Sequence, residues 1–137
     1  MEPKESGSLL ELDFGRAGQR ASRGVVPVVL QNADTGEVLF AAHADAEALR
    51  ETLRTGTAVL WSLSRDELWR KGATSGDVLD VVDVWVNCEQ SSLLYRVRPR
   101  SGVCHTRDAS GSTRPSCYYR RLERDGRTLS FARTTTR

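Results

Sequence analysis

The sequence predicts a β-rich α+β fold: a small single domain with a mixed sheet and one or two short helices. A chain of 137 residues has the length of one domain and can bury a modest core. Most of its patterned segments are β-branched runs bounded by turn residues, whereas a single segment carries the caps of a helix. We expect a domain over residues 10–124, a flexible N-terminus over 1–9, and a C-terminal strand and flexible tail over 125–137.

A β-hairpin is the clearest element of the N-terminal part. Residues 10–14 alternate apolar and polar side chains, which predicts a short strand, and the following loop at 15–24 is rich in Gly, Arg and Ser. Residues 25–31 and 37–41 are mostly apolar runs. The turn residues at 32–36 stand between them, so the two runs predict the strands of a hairpin.

A helix follows the hairpin. Asp45 can cap the N-terminus of a helix over residues 46–54, and Gly56 suits its C-terminal end. The rest of the chain predicts strands at 57–63, 78–88, 92–99 and 117–122, a helical turn or an ordered loop at 64–72, and loops at 74–77 and 101–116. The chain is therefore expected to be mostly β, with one clear helix.

The three cysteines are the most informative residues for function. Cys88 lies beside an apolar, strand-like run, Cys104 and Cys117 bracket a polar loop, and His105 follows Cys104 directly. An odd number of cysteines argues against a disulfide framework within one chain. Three thiolates and an imidazole are ligands that zinc prefers, although free or buried thiols fit the same spacing.

Composition argues against several classes of partner. The formal net charge is +2, which is too small to indicate nucleic-acid binding. No run approaches the roughly 20 apolar residues of a membrane span, and the first residues lack the apolar segment of a secretory signal. We therefore expect a cytoplasmic protein whose cysteines stay reduced, with no nucleic-acid or membrane partner.

Several segments together resemble one family of enzymes. Residues 62–76 resemble the SRSxxxLWRKGETSG motif of phosphoribosyl-AMP cyclohydrolases, and residues 26–39 are similar to the IPAIVQDxxTGEVL hairpin of that family. Residues 87–97 align with its DCDxDTLLxxV segment. Residues 104–106 and 116–120 align with the two ends of its CHTGxxSCFYR segment. The match is collinear over most of the chain.

The resemblance implies an activity, a metal and an assembly. The family adds water at C6 of N1-phosphoribosyl-AMP and breaks the N1–C6 bond, a step of histidine biosynthesis. Its members are intertwined homodimers that hold zinc with three cysteines, one of them from the partner subunit. By alignment, Cys104 and Cys117 would bind zinc from one chain, and Cys88 would bind it from the other.

The resemblance also implies roles around the zinc. Zinc with three sulfur ligands and one water has an open, catalytic geometry. His105 would be the general base, or else a histidine that packs in its loop. The expected substrate-binding residues are basic, aromatic or small: Arg65, Trp69, Arg70, Lys71, Thr74, Ser75 and Gly76. The alternatives are a solvated charged face for the basic residues and a core position for Trp69.

The sequence departs from the family where a second metal binds. The family binds magnesium with the three aspartates of DCDxD, and this chain has Asn87, Glu89 and Ser91 there. Magnesium needs anionic oxygen ligands, so we do not expect it to bind without help from substrate phosphates. The loop between Cys104 and Cys117 is also longer than in the motif. Three functions stay open: the family reaction on a phosphoribosylated nucleotide, a related reaction on another heterocycle in specialised metabolism, and a catalytically silent zinc-stabilised dimer.

Overall fold

A computed structural model describes residues 3–12, 14 and 24–131. Its elements are α1 (Pro3–Ser6), β1 (Val26–Asn32), β2 (Val38–Ala44), α2 (Ala46–Thr55), β3 (Val59–Ser62), β4 (Glu67–Arg70), β5 (Leu79–Val86), β6 (Leu93–Pro99), β7 (Arg120–Leu122) and β8 (Leu129–Phe131). The predicted β-rich α+β class with a mixed sheet is confirmed. Most of the loop predicted at 15–24, and residues 132–137 of the predicted tail, lie outside the described residues.

Six strands form one sheet in the order β4-β3-β2-β1-β6-β5. Neighbouring strands are antiparallel except β1 and β6, which run parallel with Val28 opposite Leu93. The sheet therefore has two antiparallel parts, β4 to β1 and β6 with β5, which meet at one parallel pair. Strands β7 and β8 form a separate hairpin.

The first hairpin and the helix form where the sequence predicts them. β1 and β2 pair in antiparallel register around the turn that begins at Asn32. At the start of α2, the Asp45 side chain accepts a hydrogen bond from the backbone N–H of Ala48 at 2.7 Å. At its end, Gly56 adopts a φ of 74° and its N–H bonds back into the helix. Both caps satisfy backbone groups that a helix end leaves without partners.

The core is formed by the sheet and α2. Alternate residues of β1 and β6 are buried, as the period of a strand with one covered face requires. The largest fully buried side chains are aliphatic or aromatic with one threonine: Tyr95, Leu30, Leu39, Leu60, Leu79, Val25, Val26, Val28, Val59, Val97, Val103 and Thr52. Helix α2 packs against β2 and β3. None of the helices in the described part of the chain has the length and apolar character needed to cross a membrane.

The helical turn or loop predicted at 64–72 is wrong in its centre, where Glu67–Arg70 form β4 and pair with β3. The tight turn between these strands is held by Ser62, whose hydroxyl oxygen accepts from the backbone N–H of Arg65 at 3.2 Å. Asp66 completes the turn with a φ of 53°. The strand has only four residues and is charged at both ends, so its alternation is hard to recognise in the sequence.

The strand predicted over residues 10–14 is also wrong, since residues 10–12 are irregular and Asp13 lies outside the described residues. The Gln90 side chain holds this segment instead. Its amide donates to the Leu9 carbonyl oxygen at 3.0 Å, and its oxygen accepts from the backbone N–H of Glu11. Backbone groups satisfied by a side chain do not need a neighbouring strand. Just before it, α1 lies within the N-terminus predicted to be flexible.

Candidate active site

A cavity of about 480 Å³ lies between β4 with its following loop and the loop that follows β6. It is lined by most of the residues that the sequence singled out: Arg65, Trp69, Arg70, Lys71, Thr74, Ser75, His105 and Cys117. Gly76 is not among the lining residues. The volume lies within the usual range for a small-molecule site.

Cys104 and Cys117 form a thiol pair beside this cavity, and they lie close enough for each thiol to change the pKa of the other. Burial disfavours ionisation of Cys104, but contacts from the hydroxyl and backbone N–H of Thr106 outweigh it and hold the pKa of Cys104 below that of an ordinary thiol. Burial, together with the neighbouring Cys104, raises the pKa of Cys117 to about 12. Two sulfurs at one place are a suitable pair of ligands for a soft metal ion.

Backbone contacts with β2 hold the second thiol in place. The N–H of Cys117 donates to the Leu39 carbonyl oxygen at 2.8 Å, and the Ser116 hydroxyl donates to the Val38 carbonyl oxygen at 2.9 Å. These bonds keep residues 117–119 out of the strand predicted at 117–122, which begins only at Arg120. The first thiol is positioned by the N–H of Cys104, which donates to the Arg114 carbonyl oxygen at 2.9 Å.

Lys71 closes the loop that follows β4. Its ammonium group is buried and donates to the Asp77 carbonyl oxygen at 3.2 Å. Burial lowers the pKa of Lys71, and the charges of Asp77 and the two thiols oppose that effect. Gly72 has a φ of 84°, and a Cβ there would lie 2.5 Å from the Asp77 carbonyl carbon. The loop is therefore closed so tightly that only glycine fits at position 72.

Asp77 joins the two loops that line the cavity. Its carboxylate accepts a hydrogen bond from the Ser101 hydroxyl at 2.6 Å. This bond lowers the pKa of Asp77, against the effect of burial and with further contributions from Thr113 and Lys71. Sequence reasoning missed Asp77, because no motif or spacing marks a carboxylate that connects two loops.

The exposed part of the cavity carries the aromatic and basic groups. The Trp69 side chain is 38% exposed, and its ring centroid lies 6.3 Å from that of Phe40. Arg70 forms an ion pair with Glu51 of α2 at 2.6 Å. Further lining residues that sequence reasoning missed are Phe40, Glu67, Val103, Arg107 and Thr113. They come from separate segments, so only the folded chain brings them together.

Cys88 lies in a different place, in the turn between β5 and β6. This turn precedes Leu93, the first residue of β6, whereas the thiol pair belongs to the loop that follows Pro99, the last residue. A strand of that length separates the two loops by about 20 Å. Cys88 lines a second cavity of about 380 Å³ with the N-terminal segment. Among the described residues, no three His, Cys, Asp or Glu side chains come together to hold a metal ion.

The turn around Cys88 is held together by its own side chains. The Asn87 side-chain oxygen accepts from the backbone N–H groups of Ser91 and Ser92 at 2.8 and 2.9 Å, and its amide donates to the Ser91 hydroxyl at 3.0 Å. Glu89 is exposed. Asn87 and Ser91, which stand at two of the three aspartate positions of the family motif, are thus hydrogen-bonded to each other.

Comparison with known proteins shows the family to which this chain belongs. The sequence pattern of the phosphoribosyl-AMP cyclohydrolase family matches residues 40–119. The chain is 46% identical over 108 residues to the phosphoribosyl-AMP cyclohydrolase of Hyphomonas neptunium, which covers 79% of this chain and 76% of that protein. It is 40% identical over 128 residues to the corresponding protein of Rhizorhabdus wittichii, covering 93% and 94% of the two chains. It is 45% identical over 109 residues to the histidine biosynthesis bifunctional protein HisIE of Thermus thermophilus, covering 80% of this chain and 48% of that one. The chain therefore belongs to the phosphoribosyl-AMP cyclohydrolase family, a family of hydrolases.

Proposed function

We propose that this protein is a zinc-dependent hydrolase of histidine biosynthesis that adds water to C6 of N1-phosphoribosyl-AMP and opens the N1–C6 bond. One observation carries the proposal: a single cavity is lined by His105, by Cys117 of the thiol pair, and by several basic side chains. An imidazole can move a proton, thiols can hold a metal, and basic groups can bind the substrate's phosphates.

The chain's own residues supply binding and proton transfer. An N1-substituted adenine is cationic, so its C6 atom is open to attack by water. His105 accepts a proton from the attacking water, whose oxygen ends on C6 while N1 takes up a proton as the ring opens. Trp69 presents a partly exposed ring against which a purine can stack. Arg65, with the backbone and hydroxyl groups of Thr74 and Ser75, binds a phosphate.

The thiol pair fits the zinc that the family implies. Cys104 and Cys117 already lie close together, and the lowered pKa of Cys104 favours the thiolate that a metal requires. Zinc bound there would act as a Lewis acid beside the attacking water. We propose that the protein works in the cytoplasm, where the thiols stay reduced.

A third sulfur ligand requires a second copy of the chain. Cys88 and the thiol pair are separated by the length of β6, so one chain does not bring the three sulfurs to one ion. We therefore propose a homodimer with two shared zinc sites, each taking Cys88 from the partner. Exposed apolar side chains on β5, Val82 and Trp85, support an interface on that edge strand.

The turn around Cys88 does not favour a magnesium site. Asn87 and Ser91 are hydrogen-bonded to each other, which leaves Glu89 as the single carboxylate of the three motif positions. The same departures from the family motif favour a second candidate function, a related zinc-dependent ring opening on another heterocycle. The third possibility, a silent zinc-stabilised dimer, has no feature of the cavity in its favour.

The test is a direct assay with the metal quantified. Purified protein with its zinc content measured is incubated with N1-phosphoribosyl-AMP, and addition of one water is followed by mass spectrometry. Formation of the ring-opened product, lost in His105→Gln at unchanged zinc content, supports the proposal. A zinc-loaded dimer that makes no product contradicts it and directs the search to other heterocycles.

A further inference from the structure

The loop between the two paired cysteines folds as a small hairpin of its own. Arg107 and Thr113 form an antiparallel bridge, and the backbone N–H of Asp108 donates to the Ser112 carbonyl oxygen at 2.9 Å. The Asp108 carboxylate accepts from the backbone N–H and the hydroxyl of Ser110 at 2.9 and 2.6 Å. The loop is thus ordered by hydrogen bonds among its own residues.

Arg107 stands at the base of this hairpin and lines the cavity. Its guanidinium group donates to the Gly111 carbonyl oxygen at 2.7 Å, which fixes the side chain while leaving further N–H donors available. Within the described part of the chain, Arg107 has no carboxylate partner, whereas Arg70 is paired with Glu51. The Lys71 ammonium group is buried and donates to the Asp77 carbonyl oxygen. Arg107 is therefore better placed than either to take an anion from solution.

This arginine belongs to a part of the loop in which the chain departs from the family motif. Residues 107–115 occupy the place of the three motif residues between CHT and SC, and the first of these three is glycine in the motif. The extra residues build the hairpin, and the first of them carries a side chain with a fixed charge. Position 107 of this chain therefore carries a cation where the motif has a glycine without a side chain.

We propose that Arg107 is a specificity-determining residue that binds a phosphate of the substrate's phosphoribosyl arms. The inference rests on the proposed function, since it assigns a group of the same substrate to a named side chain. Arginine forms two parallel hydrogen bonds to phosphate, and such charge-assisted bonds are stronger than neutral ones. The contact is made in the bound state before and during reaction, so it lowers KM more than it raises kcat.

The experiment compares Arg107→Gln with a matched control, Arg50→Gln, which removes an exposed arginine of α2 that does not line the cavity. With N1-phosphoribosyl-AMP as substrate, we expect Arg107→Gln to raise KM by about 10- to 100-fold with kcat changed by less than about threefold. Arg107→Lys, which keeps the charge but loses the planar fork, should recover part of the loss. Arg50→Gln should leave both constants unchanged.

A binding measurement separates this inference from the proposed function. Ribose 5-phosphate is titrated calorimetrically into the wild-type protein, Arg107→Gln and Arg50→Gln. If the wild type does not turn over the substrate but binds ribose 5-phosphate more tightly than Arg107→Gln does, the proposed reaction is wrong and the role of Arg107 stands. If KM and ribose 5-phosphate affinity are the same in Arg107→Gln and the wild type, or if the wild type binds no ribose 5-phosphate, the role of Arg107 is overturned.

Discussion

The two ends of β6 differ in how much of a site each builds by itself. The loop after β6 brings Cys117 of the thiol pair, the imidazole of His105 and the Arg107 guanidinium group to one cavity with β4 and its loop. The turn before β6 presents an exposed cysteine, while Asn87 and Ser91 bond to each other and Gln90 bonds to the N-terminal segment. The first end resembles a small-molecule site within one chain. The second end holds one free cysteine, which in our proposal binds zinc only together with the thiol pair of a second chain.

Subunit mixing tests most directly whether Cys88 completes the zinc site of a partner chain. Cys88→Ser and Cys117→Ser should each lower activity by about 100-fold or more and reduce zinc content, because each removes a proposed ligand. When the two variants are coexpressed, each mixed dimer should regain one of its two sites and so about half of wild-type activity. With random pairing about half of the dimers are mixed, so the whole preparation should show about one quarter of wild-type activity per chain. The measurement is the rate of ring opening together with bound zinc.

Two outcomes of subunit mixing would contradict the shared site. If Cys88→Ser keeps full zinc and remains dimeric, the turn before β6 does not contribute to the metal. If coexpression restores nothing although mixed dimers are isolated, all ligands of one ion come from the same chain.

The tightness of the loop after β4 is tested by two glycines that have the same φ. Gly72 and Gly76 both have φ of 84°, but a Cβ contacts nothing within 4 Å at Gly76 and overlaps the Asp77 backbone at Gly72. Gly76→Ala should cost about 1 kcal/mol of unfolding free energy from the left-handed backbone alone. Gly72→Ala should cost a further 1–3 kcal/mol or so from the overlap. Urea denaturation of both variants measures the difference, and equal losses would mean that the loop relaxes freely.

The connection between the two cavity loops is tested by Asp77→Asn. The amide cannot match the charged acceptor that Ser101 and Thr113 contact, so the unfolding free energy should fall by about 1–3 kcal/mol at neutral pH. The pKa of Asp77 is lowered in the folded state, so its stabilising effect is present above its ordinary pKa of 3.8 and is lost as the pH falls below that value. The wild type and the variant should therefore converge in acid. A difference in unfolding free energy that is as large in acid as at neutral pH would contradict this account.

The smallest effect is expected where the cavity meets α2. Hydrogen bonds from Arg54 and Arg70 lower the pKa of Glu51 to about 2, from an ordinary value of 4.5. A lowered pKa in the folded state stabilises the protein above pH 4.5, and this contribution is lost as the pH falls from 4.5 towards 2. Thermal melts of the wild type and Glu51→Gln between pH 2 and 7 should thus differ slightly at neutral pH and coincide near pH 2. Parallel curves throughout would show that Glu51 is not a stabilising acceptor.

Sequence patterns within a few residues predicted most of the elements of the fold. They did not predict the pairing of segments that are distant along the chain. Asp45 and Gly56 mark the ends of α2 in the sequence because capping depends on adjacent residues. β4 was missed because four residues with charged ends give too short an alternation. The parallel pairing of β1 with β6 depends on burial of both strands in one core, which no local pattern reports.

The residues of the candidate site show the same difference between local motifs and contacts made only in the folded chain. The motif residues Arg65, Trp69 and His105 line one cavity, whereas the substrate-binding and catalytic roles that the resemblance implies stay predictions. Asp77 and Arg107 escaped sequence reasoning because their importance comes from loops that meet only in the folded chain. The strand predicted at 92–99, which lies between Cys88 and the other two cysteines, is confirmed as β6.

The parallel pair at the centre of the sheet also sets the order in which a newly made chain can mature. β1 has β2 on one side as soon as the first hairpin forms, but its other edge stays open until β6 has been synthesised. An open strand edge is a template for pairing with other chains. A chain interrupted before Leu93 would therefore carry an unprotected β1 and no cavity, so truncated products should aggregate rather than accumulate as partly active fragments.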